Sequence, residues 1–349
     1  FGRRIPYLFV GSLVAVLVMC LLPNAGSFGM AVSTAMIFGL VSLMFLDTSI
    51  NMAMQPFKMM VGDMVNEKQK GLAYSIQSFL CNAGSLVGFL FPFIFTWIGI
   101  SNIAPQGVVP DSVIYSFYIG AAILILCVIY TTVKVKEMPP AEYAEYHGIT
   151  EEEKKEKINM VKLLVKAPKA FWTVGLVQFF CWFAFMFMWT YTNGSVAANV
   201  FDAPTVETVV NGANKVVLDT KSIQYQNAAD WVGVLFAVQA IGSVLWAVCI
   251  PMFKNRKLIY SLSLVLGGIG FISTYFVHNQ YVLFISFLLI GCAWAAMLAL
   301  PFTILTNALS GGHMGTYLGL FNGTICIPQI VAATLGGSIL ALFTPKGML

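Results

Sequence analysis

Charged residues are scarce in this sequence of 349 residues: they make up 10% of it, whereas 58% of the residues are hydrophobic. A typical soluble domain carries about 25% charged residues. This shortage excludes an ordinary soluble protein and predicts a chain that is integral to a membrane. The net charge of +4 comes without a basic stripe of interleaved aromatic residues, so nucleic acid is not an expected partner.

Paired cysteines and clustered histidines are also lacking. The seven cysteines are isolated within apolar runs, and the three histidines, His147, His278 and His313, fall in separate connections. Structural disulfides and metal sites are therefore not expected. Clustered catalytic groups, such as paired carboxylates within the membrane or a Ser/His arrangement, are lacking too, so neither enzyme activity nor a resident cofactor is predicted.

Long apolar runs predict about nine transmembrane helices. A spanning helix needs about 20 mainly apolar residues. The expected fold class is therefore all-α, integral and multi-pass. The predicted spans are residues 5–23, 29–59, 72–98, 112–133, 169–192, 229–252, 257–277, 281–307 and 315–343.

The basic residues predict how the chain is oriented. Sixteen of the nineteen Lys and Arg residues fall in connections on one side, and only Lys215, Lys221 and Lys346 fall on the other. Because cytoplasmic connections carry the excess of basic residues, the N-terminus of this sequence is expected in the cytoplasm. The charged stretch 134–168 is then a cytoplasmic linker between a bundle of residues 1–133 and a bundle of residues 169–349. A regulatory or partner-binding segment is the alternative for the linker.

A short repeat indicates two related halves. The stretch Gly2-Arg3-Arg4-Ile5-Pro6-Tyr7 precedes the first predicted span, and Asn255-Arg256-Lys257-Leu258-Ile259-Tyr260 precedes the seventh, in a similar order of basic, apolar and tyrosine residues. Many transporters contain such duplicated halves. Two spans precede the second copy and none precede the first, so we expect a parent fold of six plus six helices. This sequence would then cover helices three to eleven.

Four motifs, in the expected order along nearly the whole chain, carry a resemblance to a known family. They are "FGRRIPY" at 1–7, "LDTSINMAMQPFKMMVGD" at 46–63, "LPFTIL" at 300–305 and "GLFNGTICIPQ" at 319–329. The set resembles the sucrose-transporter-like members of the glycoside-pentoside-hexuronide:cation symporters, a group of the major facilitator superfamily. The resemblance implies two six-helix pseudo-repeats, here truncated, and secondary transport of a sugar.

The predicted span 29–59 carries one polar stripe. Asp47, Asn51, Gln55 and Lys58 stand at offsets of 0, 4, 8 and 11 residues, which fall within an arc of roughly 80° on a helix. A carboxylate that faces lipid at the centre of a helix costs about 2.5 to 3.5 kcal/mol, so we expect the stripe to face the bundle interior. A carboxyl group partly withdrawn from water can take up and release a proton near neutral pH. Asp47 is therefore the predicted proton-coupling residue, with a permanent ion pair as the alternative.

Amides and tryptophans supply the candidate substrate contacts. An amide pairs a donor with an acceptor, as sugar hydroxyls require, and an indole can stack on a sugar ring. Helix packing is the alternative role, and it is favoured for Asn82. The candidates are Asn51, Gln55, Asn82, Trp182, Gln239, Asn322 and Gln329. Charged residues near the cytoplasmic ends of the spans are expected to form a gate: Arg3, Arg4, Lys58, Asp63, Arg256 and Lys257.

These features predict a monomeric, proton-coupled symporter for a disaccharide or related glycoside, such as sucrose or maltose, working by alternating access. Sodium coupling and a non-transporting sugar sensor on the same fold are the alternatives. The expected partners are a small sugar and the lipid bilayer. The expected location is a cell membrane, which is the inner membrane in a bacterium.

Overall fold

The protein is largely helical in the computed structural model. The structure describes residues 4–25, 29, 32–100, 109, 111–137, 139, 142, 145, 160–210, 213–220, 222–309 and 314–343. The helices are α1 Ile5–Leu21, α2 Val32–Met64, α3 Glu67–Trp97, α4 Asp111–Lys134, α5 Met160–Val165, α6 Lys169–Asn199, α7 Ile223–Cys249, α8 Arg256–Phe276, α9 Leu283–Ala308, α10 Met314–Phe321 and α11 Gly323–Phe343. Short 3-10 turns, Leu22–Asn24 and Ile250–Met252, extend α1 and α7.

The helices confirm the predicted multi-pass membrane fold. Each predicted span contains a helix, and the last one is divided into α10 and α11 at Asn322. Within the described residues, eight stretches are long and apolar enough to cross a membrane.

Two helix ends differ from the prediction. The helix α6 continues to Asn199 and α7 begins at Ile223, whereas the predicted spans ended at residue 192 and began at residue 229. The apolar-run criterion detects contact with lipid, so it leaves out polar helical turns that extend beyond the hydrocarbon. Ser222 starts α7 because its hydroxyl accepts a hydrogen bond from the Tyr225 main-chain N–H.

The connection between α6 and α7 contains an antiparallel hairpin, which the all-α prediction did not include. Strand β1 is Thr205–Val210 and strand β2 is Ala213–Leu218. In their register Val210 pairs with Ala213, which leaves two residues between the strands. The sequence there is Asn-Gly, the dipeptide most typical of a two-residue hairpin loop.

The chain divides into two compact units by contact. Unit 1 comprises Phe1–Asn66, Leu90–Leu163 and Gly311–Leu318, and unit 2 comprises Glu67–Phe89, Leu164–Ser310 and Gly319–Leu349. The helix α3 therefore contributes residues to both units. The predicted bundles, residues 1–133 and 169–349 with a linker at 134–168, stay a prediction.

In unit 1, α1 packs against both α2 and α4. Leu8, Ala53 and Val128 form the buried contact among these three helices. Gly11 allows the close approach of α1 to α2, because a β-carbon at this position would lie 2.9 Å from the Ser49 main-chain oxygen. This packing fixes the rotation of α2 about its axis.

In unit 2, α9 is the central helix and packs against α6, α7 and α8. Its buried residues include Phe287, Ile290 and Met297, which pack in one apolar cluster with Phe185 and Leu235. Small residues let the helices approach closely. Two of the helices around α9 carry candidate substrate residues, Trp182 on α6 and Gln239 on α7.

Candidate functional site

The polar stripe of α2 lies on the side of that helix turned away from α1. Ser49, Ala53 and Met60 are buried, and they lie roughly 180° around the helix from Asp47 and Asn51. Asp47 is exposed and Asn51 is half-buried. The packing of unit 1 therefore leaves the stripe out of the contact between α1 and α2.

A hydrogen bond within the stripe orients its amide. Asn51 Nδ2 donates to the Asp47 main-chain oxygen at 2.9 Å, so this part of the amide is turned back to the helix. The Asn51 Oδ1 atom and the Asp47 carboxylate belong to the same helix face, and Gln55 and Lys58 continue it as half-buried residues. This face can offer one titratable carboxyl group and neighbouring amides to a solute.

Three tryptophans form an aromatic cluster in unit 2. The Trp294 ring centroid lies 5.5 Å from that of Trp182 and 5.4 Å from that of Trp189. Trp189 is 41% exposed, while the Trp182 Nε1 atom is buried without a hydrogen-bond acceptor among the described residues. A cluster with an exposed indole and an unused buried donor can stack on a ring and donate to a hydroxyl.

Asn82 lies in the interior of unit 2. Its side chain is 0% exposed, and its Nδ2 atom donates to the Ser78 main-chain oxygen at 2.7 Å. The Ser78 hydroxyl in turn donates to the Ala295 main-chain oxygen at 3.1 Å. The Ser78 bond attaches α3 to α9, whereas the Asn82 bond stays within α3.

The remaining amide candidates occupy different places. Gln239 is 6% exposed and lies where α7 crosses α9, next to Ser243, whose hydroxyl donates to the Gly291 main-chain oxygen at 2.7 Å. Asn322 stands at the break between α10 and α11, and its Nδ2 atom contacts Cys326 Sγ at 3.6 Å. Gln329 is a half-buried residue of α11. No described contact joins these three amides to the tryptophan cluster.

Three of the candidate gate residues, Arg4, Arg256 and Lys257, stand at helix starts. Arg4 is 8% exposed and immediately precedes α1, while Arg256 and Lys257 are the first residues of α8. Asn255 caps α8, because its Oδ1 atom accepts from the Lys257 and Leu258 main-chain N–H groups, both at 3.1 Å. Arg3 and the side chain of Asp63 lie outside the described residues.

A cavity of about 630 Å³ lies elsewhere in unit 2, between α6, α8 and α9. None of the predicted site residues lines it. Its walls combine apolar groups, such as Phe287 and Ile290, with Thr192, Asn199 and His278. It is therefore separate from the tryptophan cluster.

Sequence reasoning missed two residues of these sites, Trp294 and Gln178. Trp294 is a single tryptophan among small residues of α9, and only the contact with α6 places it beside Trp182 and Trp189. Gln178 is fully buried, and its Nε2 atom donates to the Met297 main-chain oxygen at 3.2 Å. Gln178 precedes Trp182 by four residues, so both side chains lie on the same face of α6. This spacing is the signal in the sequence that could have identified Gln178.

Apolar spanning helices that carry a few polar side chains at specific faces are the construction of a multi-pass membrane transporter. The model of the Major Facilitator Superfamily matches residues 1–218. The chain belongs to that superfamily.

Solved structures show the same fold. A variant of the E. coli fucose:proton symporter FucP is 14% identical to this chain with a TM-score of 0.63, and the match covers 98% of this chain and 78% of that one. A bacterial homolog of the human lysosomal transporter Spinster, in an inward-facing and unoccupied conformation, is 17% identical with a TM-score of 0.51, covering 98% of this chain and 71% of that one. Comparison with curated proteins gave no significant match.

Proposed function

We propose that this transporter is a proton-coupled symporter for a disaccharide or related glycoside, of the sucrose-transporter-like kind. The observation that carries the proposal is the face of α2 on which Asp47, Asn51 and Gln55 are kept out of the contact with α1. A carboxylate within a membrane helix is costly, so its presence points to a function such as proton transfer.

The tryptophan cluster supports a sugar as the substrate. Indole rings present flat apolar surfaces that match the C–H faces of a pyranose, and the buried Trp182 Nε1 atom offers a donor for a hydroxyl. The fold is also that of a fucose:proton symporter. The exposed member of the cluster, Trp189, is the indole that a sugar ring is proposed to reach first.

In the proposed cycle, Asp47 takes up a proton from the outer side and the sugar then binds. Both are released on the cytoplasmic side after the change of access. Six amides are proposed to contact hydroxyl groups of the sugar, in this or in another conformation of the cycle. They are Asn51, Gln55, Asn82, Gln239, Asn322 and Gln329. The gate is formed by Arg3, Arg4, Lys58, Asp63, Arg256 and Lys257.

The proposal includes an orientation and a location. The protein acts as a monomer in the cell membrane, the inner membrane in a bacterium, with the N-terminus of this sequence in the cytoplasm. The distribution of basic residues, sixteen against three, supports this orientation.

Uptake into proteoliposomes tests the proposal. Labelled sucrose, maltose, a simple glucoside and fucose are supplied under an inward proton gradient, with or without an uncoupler, and with or without sodium. We expect concentrative uptake of a disaccharide that the uncoupler abolishes and sodium does not affect. Uptake that needs sodium and resists the uncoupler would show that sodium, and not the proton, is the coupling ion. Binding without uptake would indicate a sensor.

The variant Asp47→Asn tests the coupling residue. It should lose concentrative uptake but keep exchange of sugar across the membrane at equal concentrations, because the amide cannot carry a proton. The matched control is Asp111→Asn, which changes an exposed carboxylate at the first residue of α4 and should leave coupling intact. Concentrative uptake by Asp47→Asn would remove Asp47 from the mechanism.

A further inference from the structure

The start of α1 is capped by a carboxylate from a distant part of the chain. Glu137 Oε2 accepts hydrogen bonds from the main-chain N–H of Arg4 at 2.7 Å and of Ile5 at 3.2 Å, across sequence separations of 133 and 132 residues. Glu137 follows the last residue of α4, Lys134, by three positions and is half-buried. At the start of a helix these two N–H groups have no carbonyl acceptor within the helix, and Glu137 supplies the acceptor for both.

Within the described part of the chain, α1 has no local group for this task. Its N-cap residue is Arg4, which makes no side-chain cap bond, and its first turn contains no acidic residue. In the second half, Asn255 caps α8 through its own side chain. The position of Asn255 in the repeat corresponds to Gly2, which has no side chain. The first half therefore has a distant cap where the second half has a local one.

The electrostatics favour a carboxylate at this place. The start of a helix carries a partial positive charge, and hydrogen bonds from N–H groups to an ionised acceptor are stronger than neutral ones. The cap also connects two helices that already pack together, since α1 contacts α4. Breaking it would free both the start of α1 and the segment that follows α4.

We propose that Glu137 is a positioning residue for the gate: by capping α1 it fixes the direction in which the helix starts, and with it the place of the Arg4 side chain. The proposal rests on the proposed function in one respect, namely the role of Arg4 in the gate. The cap itself does not depend on transport, so the two can fail separately.

Hydrogen exchange of the purified protein tests the cap without any transport assay. In Glu137→Ala, amide exchange in peptides covering residues 1–10 should be roughly five to ten times faster, as expected for the loss of a helix cap. Glu137→Gln keeps an acceptor oxygen but loses the charge, so its exchange should lie between those of the parent and Glu137→Ala. The control is Glu142→Gln, an exposed carboxylate of the linker, which should leave this region unchanged.

Uptake kinetics test the positioning role. A gate that is held less well should lower the maximal rate of uptake by roughly fivefold in Glu137→Ala, as a barrier change of about 1 kcal/mol would give. The half-saturation concentration should stay unchanged, because Glu137 is placed outside the sugar site. Glu137→Gln should restore part of the rate in parallel with the exchange.

Each result decides the inference. Faster exchange with a lower maximal rate supports it. Unchanged exchange in Glu137→Ala would overturn the cap, and faster exchange with normal uptake would overturn the positioning role. If the parent protein transports none of the sugars, the proposed function fails and so does the gate role, while the exchange result still decides whether the cap exists. If Glu137→Ala does not fold, Glu137→Gln decides by the same two measurements.

Discussion

Arg256 covers Gly71 so closely that a β-carbon on Gly71 would lie 2.6 Å from the Arg256 Nη2 atom. Gly71 belongs to the first turns of α3, and Arg256 is the first residue of α8. The glycine therefore leaves room for a charged side chain at the start of α8.

Replacing Gly71 by alanine should displace the Arg256 guanidinium group. Since the end of an arginine side chain can move, we expect the melting temperature to change little and the uptake rate to fall by roughly fivefold, the effect of about 1 kcal/mol on a barrier. The control is Gly84→Ala in the same helix, where nothing lies within 4 Å of the added carbon. Equal uptake by the two variants would show that the contact has no part in transport.

Gly291→Ala should destabilise unit 2. The added β-carbon would overlap the Gln239 main-chain oxygen and lie 2.9 Å from the Ser243 main-chain nitrogen. Backbone atoms cannot move without separating α7 from α9, so we expect a loss of about 1 to 3 kcal/mol in unfolding free energy. Thermal denaturation in detergent measures it, with Gly268→Ala in an open position of α8 as the control. A melting temperature equal to that of the control would contradict the tight crossing of these helices.

Trp294→Ala should weaken sugar binding. Aromatic contacts contribute about 0.5 to 1.5 kcal/mol beyond buried area, so the half-saturation concentration should rise by roughly two- to tenfold, and Trp294→Phe should show a smaller rise. Trp172→Ala changes a 54% exposed tryptophan of α6 and serves as the control. The melting temperature is measured alongside, since a cavity alone would lower it. An unchanged half-saturation concentration in Trp294→Ala would exclude the cluster as the sugar site.

Asn255→Ala should destabilise the start of α8 by about 1 kcal/mol, because two N–H groups lose their acceptor. Asn255→Asp keeps an acceptor and should retain most of the stability. Hydrogen exchange of peptides from residues 254–264 gives the measurement. Asn199→Ala is the control, since the Asn199 amide donates to a carbonyl and caps no N–H group. Similar exchange in Asn255→Ala and in the parent would show that the cap adds nothing.

The membrane spans could be predicted from the sequence because the bilayer imposes their length and composition. The hairpin could also have been found, since Asn211-Gly212 lies between β-branched runs, but the search for apolar runs passes over such a signal. The ends of α6 and α7 were harder to predict. The polar turns up to Asn199 and from Ile223 are helical through local hydrogen bonds, which hydropathy does not measure.

The candidate site also combines features that the sequence predicts with features that depend on how the helices pack. The stripe from Asp47 to Lys58 follows from helical periodicity within one helix, so its common face was predictable. Trp294 was not, because its approach to Trp182 depends on how α9 packs against α6. The distant cap by Glu137 is a similar case, since nothing local in the sequence relates residue 137 to residue 4.

The hairpin between α6 and α7 offers a way to determine the orientation of the protein in the membrane. Its register leaves two residues between Val210 and Ala213, and Glu207 on its first strand is exposed. Loop tips of this kind usually accept inserted peptides. An epitope placed there would report its compartment by antibody binding to intact cells, and the distribution of basic residues predicts that it is reached from the outside.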